Sequence, residues 1–129
     1  MLTFVKRAIT DNILVYNLYR GVNHLGGSTI GIDISNQQAH IYSIKISDLH
    51  QGKLYGSNLM HYIETDMTKI YNIKTINLLA YQQPFDRLEQ FYIKNGYIRY
   101  IGNDNTKQQY HDDGDHIYDI IHMVKNIST

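Results

Sequence analysis

The segment with the clearest chemical potential is the turn at 51–57, whose sequence is Gln-Gly-Lys-Leu-Tyr-Gly-Ser. It follows a predicted strand and opens a predicted helix, where outward-pointing backbone N–H groups and the helix dipole favour anions. The glycines allow a phosphate to approach the backbone closely. The segment has neither the Gly-Lys-Ser/Thr ending of a nucleotide-hydrolase phosphate loop nor the three spaced glycines of a dinucleotide site. It therefore predicts a pyrophosphate cradle of another kind, although the same pattern is also common in ordinary strand–helix connections.

A second polar cluster lies at 111–116, where the sequence reads His-Asp-Asp-Gly-Asp-His. Carboxylates and imidazoles are metal ligands. Two histidines in one short Asp/Gly loop are too few to close a site, so we predict a solvated loop and no metal. The alternative is that its acidic residues attract a cationic amine or a lysine-bearing partner.

The hydrophobic pattern predicts the elements that position these segments. Alternating or continuous apolar runs indicate strands, and apolar residues spaced by three and four indicate helices. The predicted strands are 3–9, 13–19, 28–34, 39–46, 75–81, 97–101 and 117–124, and the predicted helices are 54–71 and a second one that starts at Pro84 and ends at Asn95-Gly96. A polar stretch at 102–116 is predicted to be a loop, and Gly21, Gly26 and Gly27 are predicted to bracket a turn.

These elements predict an α/β (α+β) fold with a mixed sheet. The N-terminal half is antiparallel, and 39–46, 54–71 and 75–81 form a central βαβ unit with a right-handed crossover. Strict alternation in strand 39–46 places Ile44 and Ile46 on one face and Ile41 on the other. The apolar stripe of the first helix, predicted to be core, consists of Leu59, Met60, Ile63, Met67 and Ile70.

Composition restricts the class of protein. The 129 residues fit one domain, 1–129. Twelve basic and twelve acidic side chains argue against a strong nucleic-acid partner, and the absence of cysteine excludes a catalytic thiol. No stretch approaches the roughly 20 apolar residues of a membrane span. The first ten residues carry their charges after the apolar ones, the wrong order for a secretion signal. We expect a soluble cytoplasmic protein.

Two separated motifs resemble the GNAT acetyltransferase superfamily. The first is Gln51-x-x-Leu54-x-Gly56 at the turn between a strand and a helix, which is similar to the family's Gln/Arg-x-x-Gly-x-Gly/Ala. The second is Phe91-Tyr92-Ile93-Lys94-Asn95-Gly96-Tyr97, which is similar to the family's aromatic-Tyr-x-x-x-Gly-aromatic ending. The resemblance covers about residues 28–100.

This resemblance implies a site for acetyl-coenzyme A in the opening between strands 39–46 and 75–81. Main-chain groups near Ile44 and Ile46 would bind the pantetheine arm. Tyr92 lies where the family places the acid that protonates the departing thiolate. The pyrophosphate would be held by the amides of Gln51, Gly52, Lys53, Leu54, Tyr55, Gly56 and Ser57.

The general base is less defined. The histone-acetylating branch has a glutamate eleven residues before the glutamine of the cradle, and here that position is His40, whose imidazole can accept a proton near neutral pH. Asp33, Asp48 and His50 compete with it by proximity.

The chain departs from the family in three ways. Leu54 replaces the first glycine of the cradle, Phe85 replaces a common asparagine, and residues 1–30 contain strands where the family has long helices.

The resemblance implies an acetyl-coenzyme A-dependent N-acetyltransferase acting directly on an amine, with a protein lysine slightly favoured over a small molecule. The alternative is a non-catalytic module that binds a partner protein or an acyl-coenzyme A. An exposed sheet edge makes a homodimer possible.

Overall fold

The computed structural model describes residues 2–46, 54–82, 88–100, 108–112 and 116–128. Within them the chain forms eight strands and two helices. They are β1 (Leu2–Thr10), β2 (Ile13–Arg20), β3 (Asn23–Asp33), β4 (Gln38–Ile46), α1 (Tyr55–Lys69), β5 (Thr75–Gln82), α2 (Leu88–Lys94), β6 (Ile98–Arg99), β7 (Gln108–Asp112) and β8 (His116–Asn126). The chain divides into two compact units, Met1–Ile76 with Asn126–Thr129, and Asn77–Lys125.

The first unit contains an antiparallel sheet whose strands lie in the order β1-β2-β3-β4. Alternate residues of β2 are buried, and these are Leu14, Tyr16 and Leu18. Their cross-strand partners on β3 are Ile30, Ser28 and Gly26, so one face of the sheet is continuous across the two strands. The predicted strands in this half of the chain are confirmed, with ends that differ by a few residues.

A β-bulge at Tyr42 changes the faces of β4. Ile30 pairs with Ile41, whereas Thr29 pairs with Ser43, so Tyr42 is an extra residue on β4. The prediction that Ile41 lies on the opposite face from Ile44 and Ile46 is therefore wrong, because one inserted residue reverses the alternation. Beside the bulge, the hydroxyl of buried Ser28 donates a hydrogen bond to the Ser43 carbonyl at 2.5 Å, so this carbonyl has a hydrogen-bond partner.

The prediction of a turn at Gly26 and Gly27 is also wrong, since both lie within β3. A Cβ at Gly26 would overlap the Lys45 carbonyl oxygen and the Ile46 side chain, so the close approach of β4 requires glycine here. Gly21, with φ of 60°, occupies the turn between β2 and β3. The sequence shows that these glycines are special but cannot distinguish a turn from close strand packing.

Helix α1 packs against β3 and β4. Its buried residues are Gly56, Leu59, Met60, Ile63 and Met67. Ile70 was predicted to belong to this stripe, but it is 63% exposed because the helix ends at Lys69 and Ile70 is its C-cap. Asn72, with φ of 54°, then takes the left-handed conformation that turns the chain towards β5.

A polar network connects α1 to the sheet. The hydroxyl of Tyr16 donates to Asp66 at 2.5 Å, and the ammonium of Lys6 donates to the same carboxylate at 3.0 Å and to the Tyr71 hydroxyl at 3.2 Å. Burial, followed by the hydrogen bond to Asp66, raises the pKa of Tyr16 above its usual value. The Tyr16 hydroxyl therefore stays protonated and connects β2 to α1 through its hydrogen bond to Asp66.

We expect Tyr16→Phe to lower the free energy of unfolding by about 1–2 kcal/mol, because a partly buried hydrogen bond to a carboxylate is lost. A tyrosine pKa that is higher in the folded state stabilises the protein fully below the unfolded-state value near 10, and this contribution is lost as the pH rises above it. Urea unfolding at pH 7 and pH 11 checks both points. The gap between wild type and variant should narrow at pH 11, and a constant gap would contradict the assignment.

The second unit contains the C-terminal elements. Its strands lie in the order β5-β8-β6, and β7 also pairs with β8. Helix α2 ends at Lys94, and Gly96, with φ of 94°, provides the predicted left-handed stop. Ile98 pairs with Val124, which confirms the predicted closing strand pair. Pro84 lies outside the described residues.

Strand β7 corrects the prediction of a loop at 102–116. Its residues pair antiparallel with β8, from Gln108 opposite Ile120 to Asp112 opposite His116. The segment contains no apolar run, so its strand character comes from backbone pairing and has no periodic signal in the sequence. Residues 101–107 and 113–115 lie outside the described residues.

The predicted fold class is confirmed as an α/β (α+β) fold whose sheet contains parallel and antiparallel strands. The chain runs from β4 through α1 into β5, the order of the predicted βαβ unit. The predicted absence of long helices before β4 is also confirmed, because residues 2–46 contain strands and turns. Among the described helices, none has the length and apolar character needed to cross a membrane.

Candidate active site

The first turn of α1 has the properties of an anion-binding helix start. Leu54 is the N-cap, its side chain makes no capping hydrogen bond, and the first turn contains no acidic residue. The amide of Asn58 donates to the Leu54 carbonyl at 3.0 Å, and Gly56 is buried while Ser57 is half-buried. Because the first amides of a helix lack intrahelical acceptors and the dipole is positive there, this end favours a negatively charged ligand.

Leu54 has a left-handed backbone, with φ of 64° and ψ of 9°. This conformation is natural for glycine and costs an L-residue roughly 1–2 kcal/mol. Its side chain is 59% exposed, so the strain is not offset by burial. The backbone thus has a conformation that favours glycine, the residue that stands here in the resembling motif, while a leucine occupies the position.

Replacement of Leu54 tests this strain. We expect Leu54→Val to lower the free energy of unfolding by about 1 kcal/mol, since a β-branched residue is a severe outlier at positive φ. We expect Leu54→Gly to leave stability unchanged within about 0.5 kcal/mol, because the relieved strain is offset by the greater entropy of the unfolded chain. Thermal and urea unfolding of both variants provide the measurement. A more stable Leu54→Val protein would contradict the left-handed assignment.

A cation near the start of α1 was missed by the sequence analysis. The guanidinium of Arg20 donates to the hydroxyl of Tyr55 at 3.0 Å. Arg20 is the last residue of β2 and shares the parity of Tyr16 and Leu18, which places it on the α1 side of the sheet. That parity was readable from the sequence, but its proximity to the first residue of α1 depends on how the helix crosses the sheet.

The other predicted cofactor-binding residues fall in two groups. Ile44 and Ile46 are half-buried on the α1 face of β4, immediately after the bulge. Gln51, Gly52 and Lys53 lie outside the described residues. The structure therefore brings together Leu54, Tyr55, Gly56 and Ser57 at the start of α1.

His40 lies on β4, opposite Gly31, on the face of the sheet away from α1. Its ring contacts that of Tyr42 at a centroid distance of 4.8 Å, and the Tyr42 ring covers Gly31, where a Cβ would lie 2.7 Å from it. The bulge therefore positions an aromatic ring beside the candidate base.

The competing bases differ in their surroundings. Asp33 accepts hydrogen bonds from the Asn36 side chain at 2.7 Å and from the Ser35 hydroxyl at 3.0 Å, and these bonds lower the pKa of its carboxyl. A lowered pKa makes Asp33 a weaker proton acceptor, so this comparison favours His40. Asp48 and His50 lie outside the described residues.

Tyr92 belongs to α2 in the second unit and is 4% exposed. Its ring packs edge-to-face against Phe91 and Tyr97 at centroid distances of 5.4 and 5.9 Å. The Tyr92 carbonyl accepts hydrogen bonds from the amides of Asn95 and Tyr97 where the helix ends. The aromatic motif that suggested Tyr92 thus forms a packed helix end.

Among the described residues, no three histidine, aspartate or glutamate side chains lie together in a metal-binding group. The polar cluster at 111–116 was predicted to be a solvated loop. This is wrong for His111, Asp112 and His116, which belong to β7 and β8, and residues 113–115 lie outside the described part of the chain.

No protein-family model matches the sequence, and no curated protein matches it. Solved structures do match. Over 100% of this chain and 96% of that one, the structure is similar to ribosomal-protein-S18-alanine N-acetyltransferase from Escherichia coli, with a TM-score of 0.83 and 14% identity. A Bacillus subtilis acetyltransferase in complex with coenzyme A matches over 98% and 99% of the two chains, with a TM-score of 0.75 and 14% identity.

A spermidine/spermine N-acetyltransferase from Vibrio cholerae also matches, over 92% of this chain and 68% of that one, with a TM-score of 0.76 and 16% identity. The chain therefore has the fold of the GNAT acetyltransferases, which confirms the resemblance seen in the sequence at the level of the fold. At these identities the likeness defines the fold alone, and the roles of individual residues remain predictions.

Proposed function

We propose that this protein is an acetyl-coenzyme A-dependent N-acetyltransferase that transfers an acetyl group directly to an amine. The observation that carries the proposal is the likeness, over almost the whole of both chains, to an N-acetyltransferase and to an acetyltransferase in complex with coenzyme A. The uncapped, acid-free first turn of α1 supports it, because an anionic cofactor fits there.

In this proposal the start of α1 binds the pyrophosphate through backbone amides of the segment 51–57. Arg20, held by Tyr55, adds a positive charge near that end of the helix. The main chain of β4 near Ile44 and Ile46 binds the pantetheine arm. A neutral chain can bind an anion in this way, because amides and one local cation replace a general basic surplus.

The chemical step requires three proton transfers. His40 accepts a proton from the acceptor ammonium, and the free amine attacks the thioester carbonyl of acetyl-coenzyme A. The new C–N bond forms, the C–S bond then breaks, and Tyr92 donates its proton to the departing sulfur, while the second proton that the nitrogen loses returns through solvent to the Tyr92 phenolate. The chain contains no cysteine, so no cysteinyl-enzyme intermediate can form.

The acceptor is an amine in this proposal. The structural neighbours named above act on the alanine of a ribosomal protein and on polyamines, so their names span macromolecular and small acceptors. A protein lysine is favoured here because β1 connects directly to β2, which leaves the sheet without helices between these strands to enclose a small substrate. A cytoplasmic location and a homodimer through an exposed edge of the sheet remain predictions.

Isothermal titration with acetyl-coenzyme A and a thiol-release assay test the proposal. We expect binding and a raised melting temperature, together with coenzyme A release that depends on an added amine. Failure to bind at millimolar cofactor would overturn it. Binding without release over a broad set of amines would favour the second candidate, a non-catalytic acyl-coenzyme A-binding module, which the side chain of Leu54 at the cradle supports.

The pH dependence of His40→Gln tests the base. A general base works only when unprotonated, so wild-type kcat/KM falls on the acidic limb of its pH profile. We expect the variant to lose this limb and about 100-fold in kcat, with unchanged affinity for acetyl-coenzyme A. Asp33→Asn provides the matched control and should keep the wild-type profile. An unchanged profile in His40→Gln would remove it from this role.

A further inference from the structure

The face of the β1–β4 sheet opposite α1 carries an exposed surface outside the cofactor cradle. Cross-strand registers place two rows of side chains on it. The rows are Arg7, Val15, Thr29 and Ser43, and next to them Val5, Asn17, Gly27 and Lys45. Val5 is 47% exposed and Tyr42, on the same face, is 59% exposed. This face also carries His40.

The charged side chains in these two rows are all positive. Arg7 and Lys45 are exposed, neither forms an ion pair among the described residues, and the two rows contain no carboxylate. Lys6, next to Arg7, points to the other face and pairs with Asp66 at 3.0 Å. The nominal neutrality of the chain therefore conceals a local positive field on this face.

The shape of the surface fits an extended chain. Gly27 has no side chain and is half-buried, so β3 is low on this face at Gly27, while the Tyr42 ring covers Gly31. Val5, Val15 and the Tyr42 ring provide apolar area beside the two cations. A mixture of apolar contacts with two separated charges is typical of a protein partner, whereas nucleic acid binding depends on many cations. A second copy of this chain would bring like charges together at these two rows, because the rows contain no carboxylate and Asp33, the carboxylate on this face of β3, lies at the far end of the strand beyond Gly31.

Spacing connects the charges with the candidate base. Rows on one face of a strand are about 6.6 Å apart and neighbouring strands about 4.8 Å apart. Lys45 lies two rows from His40, or about 13 Å, and Arg7 lies one row and three strands away, or about 16 Å. An extended peptide covers these distances in about four or five residues.

We propose that this face docks an acidic, extended protein segment, with Arg7 and Lys45 pairing with carboxylates about four or five residues from the acetylated amine. The inference rests on the proposed function, since it defines the acceptor class of that site. Docking itself depends only on the surface and can be measured without turnover.

Three lysine peptides that differ only at the flanking positions test the proposal. They carry glutamate, glutamine or arginine four and five residues from the acceptor, so that each contains one acceptor lysine. We expect the acidic peptide to have a kcat/KM about tenfold above the glutamine peptide, and the advantage to shrink with added salt because exposed pairs are screened. Equal values for the three peptides would overturn the proposal.

Charge reversal provides the decisive comparison. We expect Arg7→Glu/Lys45→Glu to reverse the order of the acidic and basic peptides while leaving the Kd for acetyl-coenzyme A unchanged. Lys69→Glu/Lys74→Glu changes the same number of exposed charges elsewhere in this unit and should retain the wild-type order. If the reversed variant does not fold, Arg7→Gln/Lys45→Gln should abolish the preference. A preference that survives in a folded variant would contradict the docking role.

A binding arm separates this proposal from the proposed function. Fluorescence anisotropy with the labelled acidic peptide should show salt-sensitive binding to wild type and loss of binding to the double variant, without acetyl-coenzyme A. If the acidic peptide binds in this way but is not acetylated, the proposed acetyltransferase activity is wrong and the docking surface stands. If peptides are acetylated without a preference for acidic flanks, the docking surface is wrong and the proposed activity stands. Tighter binding of an oligonucleotide of equal charge would overturn the choice of a protein partner.

Discussion

Ser57→Glu should abolish binding of acetyl-coenzyme A while leaving the protein as stable as wild type or slightly more stable. Ser57 is the third residue of α1, where a glutamate can reach back to the backbone amide of the N-cap and interact favourably with the dipole. That interaction contributes about 0.3–1 kcal/mol. The same carboxylate would lie beside the proposed pyrophosphate position, and repulsion near 4 Å costs about 4 kcal/mol at an effective dielectric of 20. The affinity should fall at least about 100-fold.

The matched control for this variant is Ser57→Gln, which has nearly the same shape without the charge. We expect it to bind acetyl-coenzyme A within about threefold of wild type, as judged by titration calorimetry. In Ser57→Glu the free energy of unfolding should stay the same or rise while the affinity for acetyl-coenzyme A falls. The loss of affinity therefore cannot be attributed to unfolding. Equal affinities for the glutamate and glutamine variants would show that the pyrophosphate does not bind at the start of α1.

The elements of this fold were largely predictable because their hydrophobic periods are clear. The apolar run at 13–19 predicted a strand and forms β2, and the three–four spacing of α1 matches a buried face, so Leu59, Met60 and Ile63 lie where their pattern predicts. What the sequence lacked was information on register. The bulge at Tyr42 inserts one residue into β4, and no local pattern marks it, because its cause is the pairing with β3.

The type of candidate site, a helix that starts after a turn, was predictable from the sequence. The backbone conformation and the neighbouring side chains at that site were less predictable. The motif at 51–57 predicts a helix that starts after a turn, and α1 starts at Tyr55 as expected. The left-handed backbone of Leu54 was not predictable from a leucine, since residue preference disfavours it and the tertiary structure overrides that preference. The position of Arg20 beside Tyr55 depends on a crossing between a helix and a strand separated by 34 residues, a distance at which sequence periodicity carries no information.

Tyr92→Phe should lower kcat about 100-fold and leave the Kd for acetyl-coenzyme A unchanged, because only the proton donor is removed. The ring is 4% exposed and packed between Phe91 and Tyr97, so phenylalanine retains the apolar contacts and the helix end. A general acid that protonates the leaving thiolate matters in the transition state and not in the ground state, so kcat and kcat/KM should fall together. Steady-state thiol release, with calorimetry for the cofactor, gives the two quantities.

Tyr97→Phe is the control that distinguishes this role from packing. Tyr97 is also buried, is 1% exposed and contacts Tyr92 edge-to-face, so the loss of its hydroxyl perturbs the same cluster. We expect its kcat to stay within about threefold of wild type. A less acidic leaving group depends more strongly on the acid, so thioester substrates with leaving thiols of lower pKa should partly rescue Tyr92→Phe and leave Tyr97→Phe unaffected. Equal kcat losses in the two variants, or no rescue, would show that Tyr92 supports the helix end without donating a proton.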